Sequence, residues 1–169
     1  MLRSRGSLMK WTLYILAFFL LFFLECCVFN RYPISGGVPL LAPLAVITVA
    51  CLEGSFSGSL FGLAVGILCA LVYYRIGGVM ILACTLLGVL AGIFADKIGR
   101  TIVGVLVSDV AGIVLLEVFL VWLRHTFYLI ELDTLLAIAV PEGLYTLIFA
   151  LPSYLLFWWV HQRCQPKAD

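Results

Sequence analysis

Hydrophobic and polar positions alternate along this chain in blocks rather than at helical or strand spacing. Long apolar runs fall at 11–24, 38–52, 58–74, 77–95, 101–123 and 135–160. Short polar or glycine-rich breaks separate them: Arg31-Tyr32-Pro33 with Gly36-Gly37, Glu53-Gly54, Arg75 with Gly77-Gly78, Asp96-Lys97 with Gly99-Arg100, and Arg124 through Asp133. A helix needs roughly 20 apolar residues to cross about 30 Å of hydrocarbon. The pattern therefore predicts an all-α polytopic transmembrane bundle of about six helices. The second run is short, enters through Pro39 and is interrupted by Pro43. It is expected to begin as an irregular segment shielded by its neighbours; if it does not cross, the count falls to five. No soluble domain boundary and no long repeat is visible. The expected division is an N-terminal segment (1–10), one transmembrane domain (11–160) and a tail (161–169).

Composition makes the membrane assignment quantitative. Of 169 residues, 64% are hydrophobic and 11% charged, with a mean hydropathy of +1.20. Soluble domains carry about 45–50% apolar and about 25% charged residues, so this much apolar surface must face lipid. Five or six crossings leave no length for a separate soluble domain, which excludes a nucleic-acid binder, a soluble enzyme and a receptor with a folded ectodomain. The net charge of +1 supplies no long-range field for an acidic partner.

The N-terminus imitates a signal peptide, with Arg3, Arg5 and Lys10 ahead of the first apolar run. No A-x-A-like cleavage site follows, and Glu25 just before Cys26 spoils a lipoprotein site, so an uncleaved first helix is expected. Six crossings put both termini on one side. That side holds Arg3, Arg5, Lys10, Lys97, Arg100, Arg163 and Lys167; the other holds Arg31, Arg75 and Arg124. The positive-inside rule makes the richer side cytoplasmic. Trp11, Tyr14, Trp158 and Trp159 then mark the inner interface, and Tyr32, Tyr73, Tyr74, Trp122 and Tyr128 the outer one.

Within this frame the most ordered feature is a glycine ladder, Gly54, Gly58, Gly62 and Gly66, four residues apart. On a helix it makes a slanting furrow without side chains, into which another backbone fits closely. Gly88 with Gly92, and Gly104, Ser108 and Gly112, repeat the spacing on two later helices. The furrows serve either to pack the bundle itself or to dock a partner's transmembrane helix.

Acidic residues inside lipid-spanning segments are costly and are candidates for function; here they are Glu25, Asp109, Glu117 and Glu142. At ~1.5 Å per residue, Glu25, Glu117 and Glu142 reach a similar height near the outer end, where Arg31, Arg75 and Arg124 are available as partners. Asp109 sits deeper, beside Ser108, and is expected to face the interior. His125 and His161 read as solvated or headgroup-facing residues. Asp109 and Glu117 stand ~12 Å apart in height, too far to share a proton. No H-E-x-x-H, G-x-S-x-G or P-loop motif is present. Cys26, Cys27, Cys51, Cys69 and Cys84 lie in apolar stretches and, with Cys164, form no C-x-x-C pair; they read as small hydrophobes. No enzyme, metal or cofactor is expected.

The stretch from Glu53 through Gly78, E-G-S-F-S-G-S-L-F-G-L-A-V-G-I-L-C-A-L-V-Y-Y-R-I-G-G, resembles the MreD family of bacterial rod shape-determining proteins. So do the proline-entered second helix, the late arginine-flanked loop, and a closing P-x-x-L-Y-T-x-x-F-x-x-P-x-Y segment (Pro141, Leu144, Tyr145, Thr146, Phe149, Pro152, Tyr154). Gly58, Gly62 and Gly66 match the family's glycines, and Glu53-Gly54 its helix-opening turn. One departure stands out: many such sequences carry an aspartate four residues after the ladder, where this chain has Ala70.

The resemblance implies a non-catalytic scaffold subunit of the cell-elongation machinery in the bacterial inner membrane. Its partner would be MreC and, through it, MreB filaments and RodA-type and penicillin-binding peptidoglycan synthases. It implies neither nucleic acid nor a small-molecule ligand. The family's fold is also similar to the membrane substrate-binding subunits of energy-coupling-factor vitamin transporters. The alternative expectation is accordingly a vitamin-capture subunit with a pocket opening outward.

Overall fold

In the computed structural model of the chain, residues 2–29, 31, 38–72, 77–129 and 131–164 are described, all helical or in short connections. Among them are seven α-helices: α1 (Leu2–Phe23), α2 (Leu41–Glu53), α3 (Ser55–Val72), α4 (Gly77–Ile98), α5 (Ile102–Tyr128), α6 (Leu132–Ile148) and α7 (Ala150–Cys164). A π-helical stretch, Leu24–Phe29, extends α1. Among the described residues, five helical stretches are long and apolar enough to cross a membrane: Met9–Phe29, Ser55–Val72, Gly78–Ile98, Ile102–Phe127 and Leu132–Arg163. With α2 they make an all-α bundle of six membrane-embedded elements, the last of them broken in two.

The break lies at Phe149 and was not expected from the apolar run at 135–160. Pro152 has no N–H to give to the carbonyl of Ile148. The chain tightens instead, with Phe149 donating to Thr146 O at 3.0 Å and Ser153 to Phe149 O at 3.0 Å. Phe149 keeps near-helical angles (φ −85°, ψ −3°), so α7 continues onward from α6 rather than turning back.

The centre of the bundle is α2. Every residue from Leu41 to Leu52 is buried, and the helix is walled by α1, α3, α4, α5 and α7. Its 13 residues span only ~20 Å at 1.5 Å each, about two thirds of the hydrocarbon. Val38, Pro39 and Leu40 precede it without helical structure, and Pro39 is buried. This is the irregular, shielded start that the sequence suggested. Pro43, read from the sequence as an interruption, is none. It occupies the first helical turn, where an N–H has no intrahelical acceptor in any case.

Helices α1 and α7 meet at one end of the bundle, because Lys10 of α1 and His161 of α7 both bond to Glu53. The most extensive contact in the molecule joins α3 to α4, whereas α6 packs chiefly on α5. Outward faces of α1, α3 and α4 carry exposed Leu16, Phe23, Leu60, Leu71, Leu82 and Leu86, as a lipid-facing surface requires.

Candidate functional site

The polar and small residues singled out in the sequence fall into four places: one seam between α3 and α4, the two ends of α2, and the faces of α5. The glycine ladder comes first because it decides what the furrow holds. A Cβ on Gly58 would overlap the Ala50 side chain and lie 2.9 Å from Gly88 O. One on Gly62 would overlap Cys84 O, and one on Gly66 would lie 2.7 Å from Ile81 Cα. From the opposite side, a Cβ on Gly88 would overlap Gly58 O and one on Gly92 the Cα of Ser55. The two glycine-bearing helices thus share one seam, α3 against α4. The furrow is filled by the chain's own backbone and has no room for a helix from elsewhere, so the partner-docking reading of the ladder gives way to the packing one.

The later triplet does not act as a unit. A Cβ on Gly112 would meet Ile47 Cδ1 of α2 at 2.6 Å, so Gly112 lets α5 approach the central helix. At Gly104 it would overlap Gly99 O within the α4–α5 turn, where Thr101 Oγ1 caps α5 by accepting from Gly104 N at 3.2 Å. Ser108 is buried and donates to Gly104 O at 2.8 Å. Gly54 ends α2 in a left-handed conformation (φ +98°) that a side chain would strain.

The second place is the buried start of α2. A helix leaves its first four N–H groups without internal partners, and here that end lies inside the bundle. Leu40 N donates to Thr146 Oγ1 of α6 at 2.9 Å, Leu41 N to Pro39 O at 3.1 Å, and Ala42 N to Glu25 Oε2 at 2.8 Å. Pro43 has nothing to donate. Glu25, 1% exposed, thus lends α2 the capping carboxylate that Leu40 cannot supply, at the helix end that favours negative charge. The sequence offered Glu25 as a partner for the outer arginines; the structure shows its Oε2 serving the start of α2, where orphan amides in an apolar interior demand an acceptor.

The third place lies at the other end of α2. Glu53 Oε2 accepts from Lys10 Nζ at 2.5 Å, and Glu53 Oε1 from the Tyr14 hydroxyl at 2.7 Å. His161 Nδ1 stands 2.7 Å from that same oxygen and 3.1 Å from the Tyr14 hydroxyl. Arg100 reaches across from the α4–α5 turn to donate to Leu52 O at 3.2 Å, while its other nitrogen pairs with Asp96 at 3.1 Å. Tyr14 and His161 were read from the sequence as interface residues; both are instead tied to Glu53, and Tyr14 is fully buried. No local motif announces this knot, since the bonds to Glu53 span 39 to 108 residues. A usable signal was that Lys10 just before its run, and Glu53 and His161 just after theirs, fall on one side when six crossings are counted.

The remaining acids divide by face of α5. Asp109, 0% exposed, looks toward Thr48 and Cys51 of α2. The Thr48 hydroxyl is committed to Leu44 O at 3.0 Å, and both Asp109 oxygens lack a hydrogen-bonding partner among the described residues. Glu117, 8% exposed, faces α6, where it feels Glu142 and Arg124. Its two oxygens likewise have no hydrogen-bonding partner among the described residues. Arg124 acts on Glu142 as well, so of the expected outer cluster this trio is assembled. Arg31 is exposed, and Arg75, Tyr32, Tyr73 and Tyr74 lie outside the described residues.

Beside Glu117, α5 and α6 diverge to leave a cleft of about 530 Å³ that opens sideways, lined by groups including Val118, Trp122, His125, Val140 and Gly143. Cys51, Cys69 and Cys84 are buried, and no metal-holding group of His, Cys, Asp or Glu occurs among the described residues. Compared with known proteins, the chain matches no family model, no curated protein and no solved structure.

Proposed function

We propose that this chain is a non-catalytic scaffold subunit of the bacterial cell-elongation complex, an MreD-like protein of the inner membrane with cytoplasmic termini. The observation that carries the reading is the sequence likeness across Glu53–Gly78 and the closing Pro141–Tyr154 segment, set in an all-α bundle whose third helix holds that glycine ladder. A central helix capped at both ends by side chains from other helices makes a stiff body, suited to holding other membrane proteins in place. Several of its polar bonds serve helix ends, at Leu40 N, Ala42 N and Leu52 O. The knot of Lys10, Tyr14, Glu53 and His161 joins both terminal helices at the end rich in Lys and Arg, which the positive-inside rule places in the cytoplasm. In lipid, partners would be held laterally, by dispersion contact and by polar groups bonded across helices.

The test is co-expression of the full chain with an MreC-like single-pass protein. Retention of that protein through purification in mild detergent is the expected result, together with rounding of rod cells depleted of the chain. Absence of both would refute the reading.

A second reading, a vitamin-capture subunit of an energy-coupling-factor transporter, draws support from the cleft volume, which lies in the 300–1,000 Å³ range of small-molecule sites. Its almost wholly apolar walls suit a hydrophobic occupant better than a water-soluble vitamin. A thermal-shift screen of the purified chain over common vitamins separates the two, with no shift expected for the scaffold.

A further inference from the structure

Among the described residues, the furrows between helices that open sideways toward lipid include three. One of about 360 Å³ lies between α1 and α3, one of about 320 Å³ between α4 and α5, and the third is the cleft of about 530 Å³ between α5 and α6. The α1–α3 furrow is walled by side chains such as Phe18, Phe19 and Leu68, and acyl chains satisfy such a wall fully. The α4–α5 furrow includes Ser108, but that hydroxyl already donates to Gly104 O. Of these, the α5–α6 cleft alone has on its wall a carboxylate whose two oxygens are buried and have no hydrogen-bonding partner among the described residues, that of Glu117.

We infer that the α5–α6 cleft receives one apolar transmembrane helix of a partner protein, which presents a hydrogen-bond donor to Glu117. The inference rests on the scaffold reading and names its docking surface. Dimensions fit: Ile113 to His125 along α5 covers ~18 Å, and Leu132 to Leu147 along α6 ~22 Å, room for some 12 to 15 residues of a helix. Shape fits as well. Gly143 sits in the cleft wall with no atom nearer than Glu117 Cγ, 3.8 Å from where its Cβ would be, so a neighbouring backbone can come close.

Polarity selects the occupant. A buried polar group without a partner is costly in hydrocarbon, and an acyl chain carries no donor. Within the chain, Arg124 influences Glu117 without bonding to it, and Glu142 adds a like charge nearby. A second copy would have to bring a donor on an outward face, yet the exposed positions at mid-height on α1, α3 and α4 include Leu16, Phe19, Leu63, Ile67, Leu86 and Leu90. A partner helix bearing Ser, Thr, Asn, Gln or a basic residue at the level of Glu117 meets both demands. It contributes apolar flanks along the cleft and one bond across it.

The experiment uses the full chain co-expressed with the MreC-like protein. Val118→Trp and Gly143→Leu fill the cleft, Glu117→Leu removes the acceptor, and Leu82→Trp on the outward face of α4 is the control. Val118 and Leu82 are 64% and 66% exposed, so neither tryptophan disturbs the core; equal insertion and gel-filtration profiles verify this. Retention of the partner is expected to fall roughly tenfold with the cleft fillers and about three- to tenfold with Glu117→Leu, and to be unchanged in the control. A photoreactive residue at position 118 is expected to cross-link the partner's transmembrane segment. Full retention by every cleft variant while the wild type binds would overturn the cleft and leave the scaffold reading standing. So would cross-links formed only to lipid or to a second copy of the chain. Failure of the wild type itself to retain the partner would overturn the scaffold reading, and the inference with it.

Discussion

Gly62→Ala probes the seam on which the bundle depends. The added methyl group would overlap Cys84 O and lie 3.0 Å from Cys84 C and 3.1 Å from Val46 Cγ1. Two of these three atoms are backbone, so no rotamer change relieves the collision and α4 must withdraw from α3. Overpacking typically costs about 1–3 kcal/mol, and a backbone collision belongs near 3. Alanine recovers about 1 kcal/mol through its better helix propensity. The net loss is therefore about 2 kcal/mol, roughly 30-fold in the folding equilibrium.

Gly78→Ala is the internal control, because nothing lies within 4 Å of a Cβ there and the substitution should be neutral or slightly stabilising. Both proteins would be titrated with sodium dodecyl sulfate in mixed micelles and followed by far-ultraviolet circular dichroism. Equal midpoints for the two variants would refute the filled seam and reopen the furrow to an outside helix. A lower midpoint for Gly62→Ala carries a warning for interaction studies. A bulkier Gly62→Leu would lose partners by prising α3 from α4, so its loss of binding would report packing and not docking.

The same unfolding assay checks three further expectations. Glu25→Ala strands Ala42 N at the buried start of α2 and should cost about 1–3 kcal/mol, whereas Glu25→Gln keeps an acceptor and should cost less; equal losses would show that the charge of Glu25, and not its acceptor oxygen, carries the effect. Glu53→Ala should cost about 1–2 kcal/mol, discounted for its partly exposed partners, and a double-mutant cycle with Tyr14→Phe should be non-additive; additivity would mean the hydroxyl is satisfied elsewhere. Asp109→Leu should be neutral or stabilising, since it removes a buried carboxylate with neither oxygen bonded; a loss above about 1 kcal/mol would reveal a partner for that group.

What the sequence exposed and what it hid follow from the range of the forces involved. Long apolar runs located α1, α3, α4 and α5, because partition into hydrocarbon is decided by each segment's own residues. Glycine spacing announced a close approach, but it could not say whose backbone would make it; only the fold brings Gly88 and Gly92 opposite Gly58 and Ser55. The break at Phe149 was foreshadowed by Pro152 and masked by the uninterrupted apolar run around it. Buried acids were visible as anomalies, yet their roles were not, since the amide that Glu25 serves lies 17 residues away and the groups on Glu53 lie up to 108 away.

A single physical requirement links these long-range bonds. Helix α2 is too short to reach both membrane surfaces, so its first turn opens within the protein interior, where its amides must be met by borrowed groups. Glu25 comes from the extension of α1 and Thr146 from α6, while Arg100, from the α4–α5 turn, serves the far end at Leu52 O. Shortness at the centre thus forces specificity at the periphery: the surrounding helices are pinned in register by the helix they enclose. Glu117 stands outside this accounting. It faces α6 and Gly143 rather than the first turn of α2, so the demand that explains Glu25 does not explain it.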